Sequence, residues 1–227
     1  MPRISFALSA RRLRATHVGT VLTERYPSPR CELDYASPFQ LLIAVILSAQ
    51  TSDKAVNKVT PELFGRFPDA PSLAKAPLLE LRKILRSIGF FRAKARSIRG
   101  TAQAIMKRYG GEVPREMAAL ITLPGVARKT ANVVLGEAFE IAEGIAVDTH
   151  VARVSKRLGL TKSTSPPEIE RDLMQVTPRT DWGKGHLRMV LFGRYHCTAR
   201  SPKCTECPLL DVCIAPESAA VRDACHE

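Results

Sequence analysis

The chain is expected to be all-α, and three features of the sequence point that way. Apolar residues recur at helical spacing through most of its length. The ends of those stretches carry helix start and stop signals. No stretch alternates apolar and polar residues as a half-buried strand does. About ten helices and no sheet are expected.

The first clear start is Ser37-Pro38-Phe39-Gln40. Ser37 suits the cap, Pro38 the first helical position, and Gln40 completes a capping box. Phe39, Leu42, Ile43, Ile46 and Leu47 then fall on one face. Leu78, Leu81, Leu85 and Ile88 repeat the pattern, with Arg82, Lys83 and Arg86 on the solvated side and Gly89 as the stop. Ala95, Ile98, Ala102, Ile105 and Met106 form the next stripe, ended by Gly110-Gly111. A short helix is expected over 115–121, broken by Leu123-Pro124-Gly125-Val126-Ala127, with helical character resuming over 129–139 and Val133, Val134 and Leu135 suited to burial. Ile145-Ala146-Val147 is apolar but too short to read as a strand. Val151, Val154 and Leu158 make a further helical stripe. Ser165-Pro166-Pro167-Glu168 is a second capping-box start, with Ile169 and Leu173 behind it. No fixed repeat, long linker or low-complexity segment is present.

Composition narrows the function classes. The chain has 227 residues, 45% of them apolar, and a formal net charge of +12. It reads as globular, with a polyanion as partner: nucleic acid or an anionic membrane surface. The longest apolar run, Leu41 to Leu47, is far short of the ~20 residues that span a bilayer. No secretory signal is visible, and none is expected. Arg3, Arg11, Arg12 and Arg14 precede the first acidic residue, Glu24. That reads as a basic arm beside DNA, the other reading being an organelle transit peptide.

Six cysteines are present, and four lie close together in a C-x6-C-x2-C-x5-C pattern: Cys197, Cys204, Cys207 and Cys213. With no secretory signal, this is a metal site sooner than a disulfide framework. From the chemistry alone, tetrahedral zinc and an iron–sulfur cubane are both open. Cys31 and Cys225 have no spacing partner and read as ordinary thiols.

Two helices joined by a tight Pro-Gly turn make a helix–hairpin–helix. Its turn and second helix start present N–H groups at a positive dipole end, a phosphate site that needs no base contact. Periodicity alone also allows an ordinary helical hairpin. Lys129 follows that turn, where the dipole disfavours a cation. A neutral amine there is a nucleophile for a sugar carbon. Asp148 reads first as the N-cap of the helix carrying Val151. A carboxylate so held is also suited to stabilising positive charge as a glycosidic bond breaks. His150 reads as structural.

The string LPGVARKTANVV, 123–134, resembles the helix–hairpin–helix of the endonuclease III family of DNA glycosylases, and VDTH, 147–150, resembles that family's aspartate motif. The resemblance runs from about Leu33 to Cys213 and implies a function. The family excises oxidised or ring-saturated pyrimidines, with a lysine that forms an imine and a β-elimination that breaks the strand. On this chain it makes Lys129 and Asp148 catalytic and puts Gly125, Ala127, Arg128 and Thr130 against DNA. Ala127 stands where the family usually has a second glycine, and a left-handed backbone there costs alanine about 1 kcal/mol or more. LSAQ, 47–50, resembles the segment supplying a gap-filling glutamine, here Gln50. IGFFR, 88–92, resembles the loop supplying an apolar wedge, here Phe90. The alternative for Phe90 and Phe91 is burial in the core. The cysteine spacing resembles the family's [4Fe–4S] loop, whose first segment would present Arg200 and Lys203 to phosphates.

The resemblance implies two lobes: 31–142 as a six-helix barrel ending in the hairpin, and 1–30 with 143–227 as an iron–sulfur domain. The active site is expected in the cleft between them. The implied partner is double-stranded DNA containing damaged bases or abasic sites, with no membrane, met by a monomer in the cytoplasm at the nucleoid. Three rivals are distinguishable. A monofunctional adenine glycosylase acting on mismatches typically lacks the lysine and carries an extra C-terminal domain. A non-catalytic helix–hairpin–helix module needs no lysine–aspartate pair. A zinc-bound structural protein has no cluster absorbance.

Overall fold

In a computed structural model, which describes residues 6–218, the chain is helical throughout. Among the described residues there are twelve α-helices, three short 3-10 turns and no strand. Arg3 and Cys225 lie outside the described residues. The helices are α1 (Phe6–Arg25), α2 (Pro38–Leu47), α3 (Asp53–Asn57), α4 (Thr60–Arg66), α5 (Ala70–Lys75), α6 (Leu78–Ile84), α7 (Phe91–Tyr109), α8 (Met117–Leu120), α9 (Arg128–Phe139), α10 (Thr149–Arg157), α11 (Pro166–Val176) and α12 (Trp182–Tyr195). No helix is long and apolar enough to cross a membrane among the described residues. The chain divides into two compact units, Cys31–Glu143 and Met1–Arg30 with Gly144–Glu227.

In the first unit, α2 is the central element. Ser37 caps it, its hydroxyl accepting the Gln40 N–H at 3.2 Å. The reciprocal arm differs from a simple capping box: the Gln40 side chain accepts from Ala36 N–H, one residue before the cap. From Leu41 to Leu47 every residue is buried. The helix therefore buries all its faces, whereas the sequence stripe implied one. It packs against α7 and α9, and α7 in turn packs against α5 and α6.

The Leu78 stripe stops earlier than its periodicity suggests. Helix α6 ends at Ile84, and Leu85–Ser87 tightens into a 3-10 turn. The left-handed residue that redirects the chain is Phe90 (φ 57°), not Gly89. On α7, Ala95, Ile98, Ala102 and Ile105 are fully buried, while Met106 at the stripe's edge is 38% exposed. Gly110 (φ 61°) closes the helix, donating to Ile105 O.

In the second unit, α12 packs against α1 and α10, and α11 against α1 and α10. Val151, Val154 and Leu158 face this core together with Ile169, Leu173 and Phe192. Gly193 lets α10 and α12 approach closely, because a Cβ there would sit 2.9 Å from His150 Cβ. The expected side-chain cap at Ser165 does not form. Pro166 and Pro167 have no N–H to give, and the next donor, Glu168 N, bonds the Ser165 carbonyl at 3.1 Å. Ile145, Ala146 and Val147 are buried without forming a regular element.

Candidate functional site

The hairpin turn is seated on α7. Thr101, wholly buried, donates its hydroxyl to Pro124 O at 2.6 Å. Gly125 adopts φ 80°, and a Cβ there would meet Ser97 Cβ at 2.9 Å. Glycine is thus required twice over at this position, by backbone conformation and by space. Ala127, by contrast, is the N-cap of α9 at φ −91°, ψ 168°. That is ordinary extended backbone, so alanine carries none of the left-handed cost that the missing glycine suggested.

Arg128, Lys129 and Thr130 occupy the first three positions of α9, and Ala131 makes the first helical bond, to Ala127 O at 3.0 Å. The Arg128 and Lys129 side chains are exposed. Thr130 is 9% exposed, so what it can offer a phosphate is the N–H of the third helix position and not its hydroxyl. Val133, Val134 and Leu135 are buried, anchoring the helix from behind.

Gln50 and Phe90 are both exposed, Phe90 at 66%, which removes core burial as its role. Phe91 is half-buried, with the Arg92 guanidinium 5.6 Å from its ring centroid. Gln50 is left-handed at φ 53°. A non-glycine residue in that region is uncommon and costs about 1 kcal/mol or more, so it marks a constrained loop.

In the other unit, Asp148 caps α10 through Oδ1, which accepts the Val151 N–H at 2.8 Å. The sequence reading of Asp148 as a cap is realised. His150 sits beside it, its Nδ1 3.2 Å from Arg153 Nη2.

The four cysteines of the loop form no disulfide and line one cavity of about 370 Å³, its open mouth included. Four thiols lining one cavity suit an iron–sulfur cluster, which is held by four cysteine thiolates. Burial pushes the Cys204 and Cys207 thiols up. Cys213 and Cys197 add to the effect at Cys204 against the nearby Arg157, and the other three loop cysteines act at Cys207 against a bond from Leu209. Such a site disfavours bare thiolates and accepts them beside positive metal. His196, 2% exposed, lines the same cavity with Nε2 lacking any partner. The donor set therefore fits an iron–sulfur cluster.

Sequence reading missed what holds this loop. Arg157 donates to Thr198 O at 2.7 Å, to Ala199 O at 3.3 Å and to Cys197 Sγ at 3.4 Å. Arg153, one turn earlier, donates to Cys197 O at 3.0 Å and Gly193 O at 2.7 Å. Both arginines project from α10, the helix that Asp148 begins. Their spacing of four on one helix is visible in the sequence, but their targets lie about forty residues away. Arg200 and Lys203 are exposed.

Residues 43–179 match the family described as HhH-GPD superfamily base excision DNA repair protein, and residues 197–213 match the iron–sulfur binding domain of endonuclease III. Endonuclease III of Synechocystis sp. is 51% identical over 91% of this chain and 94% of its own length. The Bacillus subtilis enzyme is 49% identical over 84% and 87%. A trapped covalent endonuclease III–DNA intermediate superposes with a TM-score of 0.87 at 46% identity, covering 92% of this chain and 97% of that one. The chain belongs to the endonuclease III family within the helix–hairpin–helix DNA glycosylases, as a DNA-binding base excision repair enzyme with glycosylase and AP lyase activity and a [4Fe–4S] cofactor.

Proposed function

We propose that the chain excises oxidised pyrimidines from duplex DNA and cleaves at the resulting abasic sites, with Lys129 as nucleophile and Asp148 as a catalytic carboxylate. The observation that carries this reading is the place of Lys129. Its side chain is exposed in the first turn of α9, directly after a hairpin turn fixed on α7. The likeness to a trapped covalent endonuclease III–DNA intermediate supports it.

The base is flipped from the stack, and Gln50 and Phe90 occupy the space it leaves. The neutral Lys129 amine forms a bond to C1′ while the glycosidic pair departs with the base, which takes up a proton. Asp148 stabilises the positive charge that develops, and the amine gives up its proton to solvent. The C1′–nitrogen adduct opens to an imine. Loss of a C2′ proton then expels the 3′ phosphate, which is the β-elimination. Gly125, Ala127, Arg128 and the Thr130 N–H hold a phosphate beside the lesion, and a cation there is favoured by the polyanion.

Residues 31–142 act as a six-helix barrel carrying the hairpin, and 1–30 with 143–227 as the cluster domain. Cys197, Cys204, Cys207 and Cys213 are the ligands. When bound, the cluster supplies a rigid anchor for the loop that presents Arg200 and Lys203 to the backbone. The protein works as a monomer in the cytoplasm, at the nucleoid.

A duplex with one oxidised thymine tests the reading. Released base and a cleaved strand ending in an unsaturated sugar are both expected. Release of adenine from a mismatch without cleavage would instead make it an adenine glycosylase. Tight binding with neither product would make it a binding module. Sedimentation is expected to give a single 25.0 kDa species.

A further inference from the structure

Lys94 is a buried lysine that the chemistry above does not use. It is 6% exposed, and its Nζ donates to Thr51 Oγ1 at 2.5 Å. Burial pushes its pKa down. An ammonium has three donors, and a buried one with a single neutral acceptor is costly. A methionine of similar length would fill the same space without that cost, so stability does not account for the amine.

Its position joins two segments. Lys94 lies one turn into α7 and its N–H donates to Phe90 O at 3.0 Å. Thr51 follows Gln50 directly and closes a turn onto Ser48 O at 3.0 Å. Gln50 and Phe90 are two of only three non-glycine residues with positive φ among the described residues. The single Lys94–Thr51 bond therefore ties the exposed Gln50 turn to the helix start that carries the exposed Phe90.

The geometry points to Lys94 as a positioning residue that holds Gln50 at a fixed distance from Phe90, so that both enter the DNA as one preformed unit. This inference rests on the reading that Gln50 and Phe90 fill the flipped base's space. Holding the two side chains in place before DNA arrives lowers the ordering cost of insertion. The amine acts through Thr51 and touches no reacting atom.

The test uses the holoenzyme and two duplexes: one with 2-aminopurine beside an abasic analogue, whose fluorescence reports the opened stack, and one with a single oxidised thymine, which gives the single-turnover excision rate. Gln50→Ala is the reference. Thr51→Val removes the acceptor at constant shape, and Thr51→Ser restores it. Lys94→Met removes the donor. Thr51→Val and Lys94→Met are expected to lower both the fluorescence amplitude and the single-turnover excision rate as Gln50→Ala does, by about tenfold, with no further loss in the double variants. Affinity for undamaged duplex should stay within about twofold, and Thr51→Ser should behave as wild type. A wild-type signal from Thr51→Val, with Gln50→Ala impaired, would overturn the role of Lys94 alone. A wild-type signal from Gln50→Ala would overturn the gap-filling reading and this inference with it. Thr51→Val keeps the test decisive if Lys94→Met fails to fold.

Discussion

The Asp148 carboxylate accepts the Val151 backbone N–H at 2.8 Å, so one side chain both begins α10 and carries the proposed chemistry. The two roles separate by substitution. Asparagine caps a helix about as well as aspartate, so Asp148→Asn should change stability by less than about 0.5 kcal/mol. Alanine should cost about 1 kcal/mol. Both should slow base release by about a hundredfold or more, because both remove the charge. Urea denaturation read beside single-turnover kinetics checks this. Full activity in Asp148→Asn would reduce the residue to a cap.

Gly125 and Ala127 should respond oppositely to exchange. Gly125→Ala forces a Cβ against Ser97 at φ 80° and should cost about 1–2 kcal/mol in backbone conformation before the clash is counted. Its affinity for a duplex with an abasic analogue should fall about tenfold if the turn holds a phosphate. Ala127→Gly relieves no strain, since Ala127 is already extended, and should leave that affinity unchanged. Tighter binding by Ala127→Gly would show that the turn changes conformation on DNA.

Arg157→Met tests the grip on the cluster loop. It strips the donors from Thr198 O, Ala199 O and Cys197 Sγ while keeping a long side chain. The cluster absorbance at about 400 nm should decay several-fold faster in air than in wild type, with helical content unchanged. Equal lifetimes would mean that the loop is held by its other contacts.

Lys94 should make stability depend on alkaline pH. Its folded pKa lies below the unfolded value, so between the two the unfolded chain binds more protons. Protonated Lys94 is therefore a destabilising feature of the fold, relieved as pH rises from its folded pKa toward about 10.4. Wild type should gain stability relative to Lys94→Met as pH rises through the alkaline range toward about 10.4, measured by urea midpoints. A constant difference across that range would show that the amine pays no burial penalty.

Much of this was legible because the signals are local. The stripes of α7 and α10 and the Asp148 cap are set by residues within four positions of each other. Gly125 followed from the Pro-Gly turn. The failures were local signals overridden by neighbours. Ser165 lost its side-chain cap because the first donor past the two prolines, Glu168 N–H, bonds the Ser165 carbonyl instead of its hydroxyl. Gly89 ceded the left-handed position to Phe90. Lys94, Arg153 and Arg157 looked like three among 34 basic residues, because what distinguishes them is burial and partners 40 or more residues away.

The most direct measurement is borohydride trapping. The holoenzyme is mixed with a duplex bearing one oxidised thymine, borohydride is added, and the covalent species is mapped by mass spectrometry. A reduced adduct on Lys129, lost in Lys129→Ala while DNA binding survives, is the expected result. Base release without an adduct, or an adduct on another lysine, would contradict the role given to Lys129.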